Sequence, residues 1–152
     1  MRRSQKVWAV LLLGVSAGLA ACATTSEPVK SGPTLYQRLG GREGIRGVVD
    51  DFVANVVADD RINRRFKGLK PPDVERLKTN ISDQICDAAG GPCAYLGRDM
   101  KATHKGMEIS DAEWGATVEA LTKALGKRQV GEREKGELLG VLGPMKADIV
   151  GQ

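Results

Sequence analysis

YLGRDMKATHKGMEI, residues 95–109, contains His104, the one histidine in a chain of 152 residues. Met100 lies four positions earlier, so a helix would put both side chains on one face. Asp99 can cap such a helix at its start, and Gly106 can end it. Neutral imidazole is a common metal ligand, which makes His104 the candidate ligand of the chain. A lone histidine is more often a surface or core residue, so the flanking segments must decide between the two readings.

Those segments carry helical spacing throughout, and no repeat or strand alternation competes with it. Upstream, Thr34 can cap a short helix through Leu35 and Leu39 that Gly40-Gly41 stops. Residues 42–58 hold Ile45, Val48, Val49, Phe52, Val53, Val56 and Val57 on a broad apolar face. A short turn of helix from Asp59 carries Ile62 and ends near Phe66, broken by Gly68 and Pro71-Pro72. Asp73 reads as the N-cap of a helix with Val74, Leu77, Ile81 and Ile85 on one stripe, closed at Gly90-Gly91. Downstream, Ser110-Asp111-Ala112-Glu113 is a capping box for a helix carrying Trp114, Thr117, Val118, Leu121 and Leu125. A last helix is expected from about Glu132 to Val150, kinked at Pro144. The fold class is therefore all-α, with about six helices of unequal length around the stretch that holds His104.

The first 33 residues are of a different kind. MRRSQK is a positive n-region, and Val7 to Ala17 forms an apolar segment of signal-peptide length, short for a membrane span. Leu19-Ala20-Ala21-Cys22 resembles a bacterial lipobox, which implies that residues 1–21 are removed and Cys22 is lipidated. The other reading is an ordinary cleaved leader with an incidental cysteine. Ala23 follows Cys22, which points to the outer rather than the inner membrane, facing the periplasm. Residues 22–33 read as a flexible tether and 34–152 as the one folded domain. Loss of Arg2, Arg3 and Lys6 takes the net charge from +4 to about +1. No basic stripe with interleaved aromatics survives, so nucleic acid is not an expected partner. Export into an oxidising compartment allows Cys86 and Cys93 to pair across a loop containing Gly90, Gly91 and Pro92. Closing about eight residues stabilises by roughly 2.5 kcal/mol in the chain-entropy model.

In order along the chain, LYQRLGG (35–41), VVDDFVANVVADDRI (48–62), Gly90-Gly91-Pro92, Tyr95 and GRDMKATHKGMEIS (97–110) form a set. Together they resemble the group 1 truncated haemoglobins over about residues 34–150. The resemblance implies a shortened globin, a two-over-two helical sandwich around haem b. It implies His104 as the proximal iron ligand, Phe66 as the aromatic on the haem face, and Met100 as a proximal contact. Porphyrin is flat and mostly apolar, so aliphatic and aromatic walls suit it. Neither Cys86 nor Cys93 belongs to a C-x-x-C-H motif, so the haem is expected to be held non-covalently.

The chain departs from the family on the distal side. Where the family often has a tyrosine after the phenylalanine of the second helix, this chain has Val53. Where it often has a glutamine in the distal helix, this chain has Ile81, with Leu77 one turn earlier. The inferred distal pocket is Val53, Leu77, Ile81, Ile85 and Thr117; a register slip of one residue would instead bring in Asn80 or Gln84. Some relatives place a histidine where Asn80 stands. With no second histidine, bis-histidine iron cannot form within one subunit. Arg76, Lys78 and Tyr95 are candidate partners for the haem propionates, simple solvation of these side chains being the alternative. The expected function is reversible binding of a diatomic gas, O2, NO or CO, by a carrier or sensor tethered in the cell envelope. The alternatives are a haem enzyme of the NO dioxygenase or peroxidase type, which needs an electron donor, and a haem-free envelope lipoprotein.

Overall fold

The computed structural model describes residues 32–152. The expected leader, the lipidation site Cys22 and most of the tether lie outside the described residues.

Among the described residues six α-helices follow one another: α1 (Leu35–Arg38), α2 (Gly41–Ala58), α3 (Pro71–Ala88), α4 (Met100–His104), α5 (Asp111–Lys127) and α6 (Glu132–Leu142). Two 3-10 turns, Asn63–Arg65 and Gly143–Asp148, stand between α2 and α3 and after α6. The helix starts follow the local chemistry. Thr34 and Ser110 each form a complete capping box, with Gln37 and Glu113 returning the bond. Asp99 accepts from the backbone N–H of Ala102 at 2.8 Å and so starts α4.

Two boundaries differ from the sequence expectation. The third helix begins at Pro71, with Lys70 as N-cap, and not at an Asp73 cap. The first helical positions need no N–H donor, and the fixed φ of proline suits them, so Pro71-Pro72 open α3 while ending what precedes it. The last helix stops at Leu142, and residues 143–148 wind as a tighter 3-10 turn. Pro144 lacks the N–H that would reach the carbonyl of Gly140, and its ring crowds that carbonyl. An isolated parallel bridge, Ile109 to Val150, joins the end of the chain to the segment after α4. Gly151 donates to the Ile109 carbonyl at 2.9 Å and Glu108 to the Gln152 carbonyl at 2.8 Å.

Helix α2 is the centre of the packing, lying against both α3 and α5, while α6 meets α1, α3 and α5. The pairs α2–α3 and α5–α6 make up the two-over-two sandwich. Its main cluster joins Leu35, Leu39, Ile45, Val48, Val49, Val53, Ile85, Cys86, Leu121, Leu125 and Leu138. Each fully buried leucine or isoleucine here contributes about 1.5–3 kcal/mol by leaving water. A second cluster of Val56, Ile62, Ala116 and Ala120 holds Phe66, and Phe52 borders both clusters. Asp51 is buried on α2 between Lys127 and Arg128 at the end of α5, and their hydrogen bonds hold its carboxyl below the usual range.

The end of α3 is a close fit. Gly90 takes a left-handed φ of +75°. At Gly91 a Cβ would lie 2.5 Å from the Tyr36 ring and 2.6 Å from Cys86 Sγ, so no larger residue fits. Cys86 and Cys93 form the expected disulfide, their Cα atoms 5.8 Å apart. It ties the last turn of α3 to the loop that leads into α4.

Candidate haem site

Helix α4 presents His104 in a defined state. Its Nδ1 lies 2.7 Å from the carbonyl oxygen of Met100, one turn earlier. A carbonyl only accepts, so Nδ1 carries the proton, and in the neutral ring the lone pair is on Nε2. A metal-binding imidazole needs this arrangement: the bond fixes the tautomer and ring orientation and raises ligand basicity. His104 is half-buried, and α4 packs against the closing 3-10 turn.

Several apolar side chains stay half-buried without being absorbed by the two core clusters. Leu77 on α3, Met100 on α4, Trp114 and Val118 on α5 and Met145 on the closing turn are each half-buried. Ile81 is half-buried as well, at the edge of the main cluster, and Phe66 at the edge of the second. A large, flat, apolar group with one metal coordination position suits such a set.

The inferred distal residues divide. Val53 and Ile85 are buried in the main cluster with Ile81 against them, while Leu77 and Thr117 fall outside it. Thr117 spends its hydroxyl on the Glu113 carbonyl at 2.8 Å. Asn80 is exposed. Ser82 is buried with an unpartnered hydroxyl. It shares a helix face with Lys78 and Cys86, the side on which Lys78 reaches Asp50 of α2, and so turns away from Leu77 and Ile81.

The candidate propionate partners are already engaged. Lys78 binds Asp50 at 3.0 Å and Glu75 at 3.2 Å, which raises its pKa. Arg76 binds Asp73 at 2.7 Å, and the Tyr95 hydroxyl donates to the Arg98 carbonyl at 2.8 Å. Near the start of α5, Glu113 accepts from the Ser110 backbone and hydroxyl and binds Arg64 at 2.8 Å, which lowers its pKa to about 2.

A two-over-two helical core, an anchored imidazole on a short helix and half-buried apolar side chains left outside the core clusters are together those of a globin. The chain belongs to the bacterial-like globin family, whose model matches residues 34–150. It is similar to the group 1 truncated haemoglobin of Tetrahymena thermophila, at 30% identity over 79% of this chain and 97% of that protein. It is also similar to the group 1 truncated haemoglobin of Mycolicibacterium paratuberculosis, at 32% identity over 76% of this chain and 83% of that one. Among solved structures, the Fe(III) form of Tetrahymena pyriformis truncated haemoglobin matches with a TM-score of 0.74 at 28% identity, covering 79% of this chain and all of that one, 100%. The 2/2 haemoglobin of a Synechococcus species, with covalently attached haem, matches at 0.71 and 27% identity, covering 78% and 98%. The resemblance read from the sequence is thus borne out, and haem is the cofactor of this family.

Two features lay beyond the sequence reading. Met145 falls within the expected last helix but carries no expected role at the site. Gln84 entered only as a register alternative, yet its amide nitrogen stands 3.4 Å from Met100 Sδ and 3.5 Å from Met145 Sδ. The available signal was its spacing of three from Ile81 and seven from Leu77, which puts all three on one face of α3.

Proposed function

We propose that this globin binds a diatomic gas on haem held by His104 Nε2, with the opposite side of the pocket apolar. The observation that carries this reading is the 2.7 Å contact between His104 Nδ1 and the Met100 carbonyl, which leaves Nε2 as a lone-pair donor. Haem, when bound, would supply an iron held by His104 Nε2 and able to bind a diatomic gas. The chain supplies the rest. Phe66 and Met100 would pack against the group, Leu77 and Ile81 would exclude water, and His104 would hold the metal. The absorption spectrum of the haem-reconstituted protein, with and without CO, tests the reading. A shifted Soret band on adding CO supports it, and no Soret band in the reconstituted protein overturns it.

Val53, Leu77, Ile81 and Ile85 offer no N–H or O–H to a gas, and Thr117 has already donated its proton. Dioxygen gains from a donor, by roughly 1.5–3 kcal/mol for a polarised partner. Without one, release is faster by about 10- to 100-fold at 1.4 kcal/mol per decade, and CO, less dependent on such a bond, changes less. Ile81→Gln restores a donor and is expected to slow O2 release by that factor in stopped flow, with little change for CO. A slow wild-type off-rate, untouched by Ile81→Gln, would refute the apolar-pocket reading.

We place the protein in the bacterial cell envelope, anchored through Cys22, on the strength of the positive n-region, the apolar segment and the Leu-Ala-Ala-Cys sequence. Cells fed labelled palmitate should label the wild-type chain and not Cys22→Ser. Equal labelling, or none in either, would remove the anchor.

A further inference from the structure

Gln84 is the polar member of an otherwise apolar face. Leu77, Ile81 and Gln84 recur at helical spacing on α3, and all three are half-buried. A half-buried amide normally finds a carbonyl or carboxylate. This one has two thioethers instead, Met100 Sδ at 3.4 Å and Met145 Sδ at 3.5 Å. Each is a weak acceptor, but the two hold the nitrogen at the junction of three elements: α3, α4 and the closing 3-10 turn.

Met100 is also the residue whose carbonyl takes the proton-bearing Nδ1 of His104. A short relay therefore runs from the distal helix to the proximal ligand, from the Gln84 amide to the Met100 side chain and from the Met100 carbonyl to the imidazole. Helix α4 is five residues long and buries none of them, so it has little packing of its own to fix that carbonyl. The disulfide restrains the approach to α4 from one side, and Gln84 restrains its first residue from the other.

We propose that Gln84 is a positioning residue: by gripping Met100 it fixes the carbonyl that orients and polarises His104, and so sets the strength of the iron–imidazole bond. This rests on the reading of His104 as the proximal ligand. Stronger donation from Nδ1–H makes Nε2 a better ligand, and a looser Met100 makes it a poorer one.

The test uses the haem-loaded protein and its Gln84→Met variant, which keeps volume and polarisability but removes the donor. Resonance Raman of the reduced, gas-free state reads the iron–imidazole stretch directly. Gln84→Met should lower and broaden that band while the Soret band stays at full intensity. Met100→Leu, which removes the acceptor, should lower and broaden the same band in whatever haem it retains. The double variant should shift no further than either single one, because both cut one relay. An unmoved band in Gln84→Met and in Met100→Leu, with haem bound, overturns the inference and leaves His104 as ligand untouched. Lack of any Soret band in the wild type overturns both at once. A Gln84→Met protein that fails to fold leaves Met100→Leu to decide.

Discussion

Replacing His104 by alanine is expected to remove the Soret band while the helical far-UV signal stays near that of the wild type. The chain has no other histidine to take its place. Haem affinity should fall by more than about 100-fold, which at 1.4 kcal/mol per decade is about 2.8 kcal/mol. The fold should survive because α4 buries no residue and both core clusters lie outside it. Added imidazole should restore part of the absorbance in His104→Gly, where the space for the ring is left open. Haem titration of the two variants beside the wild type checks all of this. Unchanged affinity and an unchanged CO-shifted spectrum in His104→Ala would mean that another group holds the iron. The same scarcity of histidine predicts that the purified monomer shows no low-spin bis-imidazole spectrum.

The second large effect concerns the disulfide. Cys93→Ser should cost about 2.5 kcal/mol by freeing a short loop in the unfolded chain. It should also speed transfer of haem to an excess of apomyoglobin. The bond joins the last turn of α3 to the loop before α4, and Cys86 is 1% exposed within the main cluster. Opening it lets the proximal segment move away from the distal helix, so haem leaves faster while His104 still ligates what remains. Cys93 is the better site for the test, because a serine at Cys86 would also bury a hydroxyl in the core. Reduction of the wild type should reproduce the result. A haem-loss rate the same in wild type, reduced wild type and Cys93→Ser would separate the disulfide from haem retention.

Local chemistry made much of the fold legible in advance. Thr34, Asp99 and Ser110 each act within a few residues of themselves, so their caps can be read without a tertiary structure. The Cys86–Cys93 pairing was legible for the same reason, with glycines between the two. Pro71-Pro72 misled because a proline pair can both end one segment and begin the next, and only the second role places the helix start. The last helix was read too long because its apolar spacing continues through Pro144 after the α geometry has stopped. At the site, His104 stood out by being single and by its spacing from Met100. The contact of Gln84 with two sulfurs was hidden, since it joins residues 84, 100 and 145 from three elements, and no local pattern encodes that meeting.

The brevity of α4 has a consequence for how the protein acquires its cofactor. A five-residue helix lies far below the length at which an isolated helix holds in water. Its amide protons should therefore be among the first to exchange with deuterium, well before those of α2 and α5, which share the main cluster. Cofactor uptake then completes the folding of this one cooperative unit against a scaffold already in place. Affinity for haem and local protection of residues 100–104 become two measures of the same equilibrium.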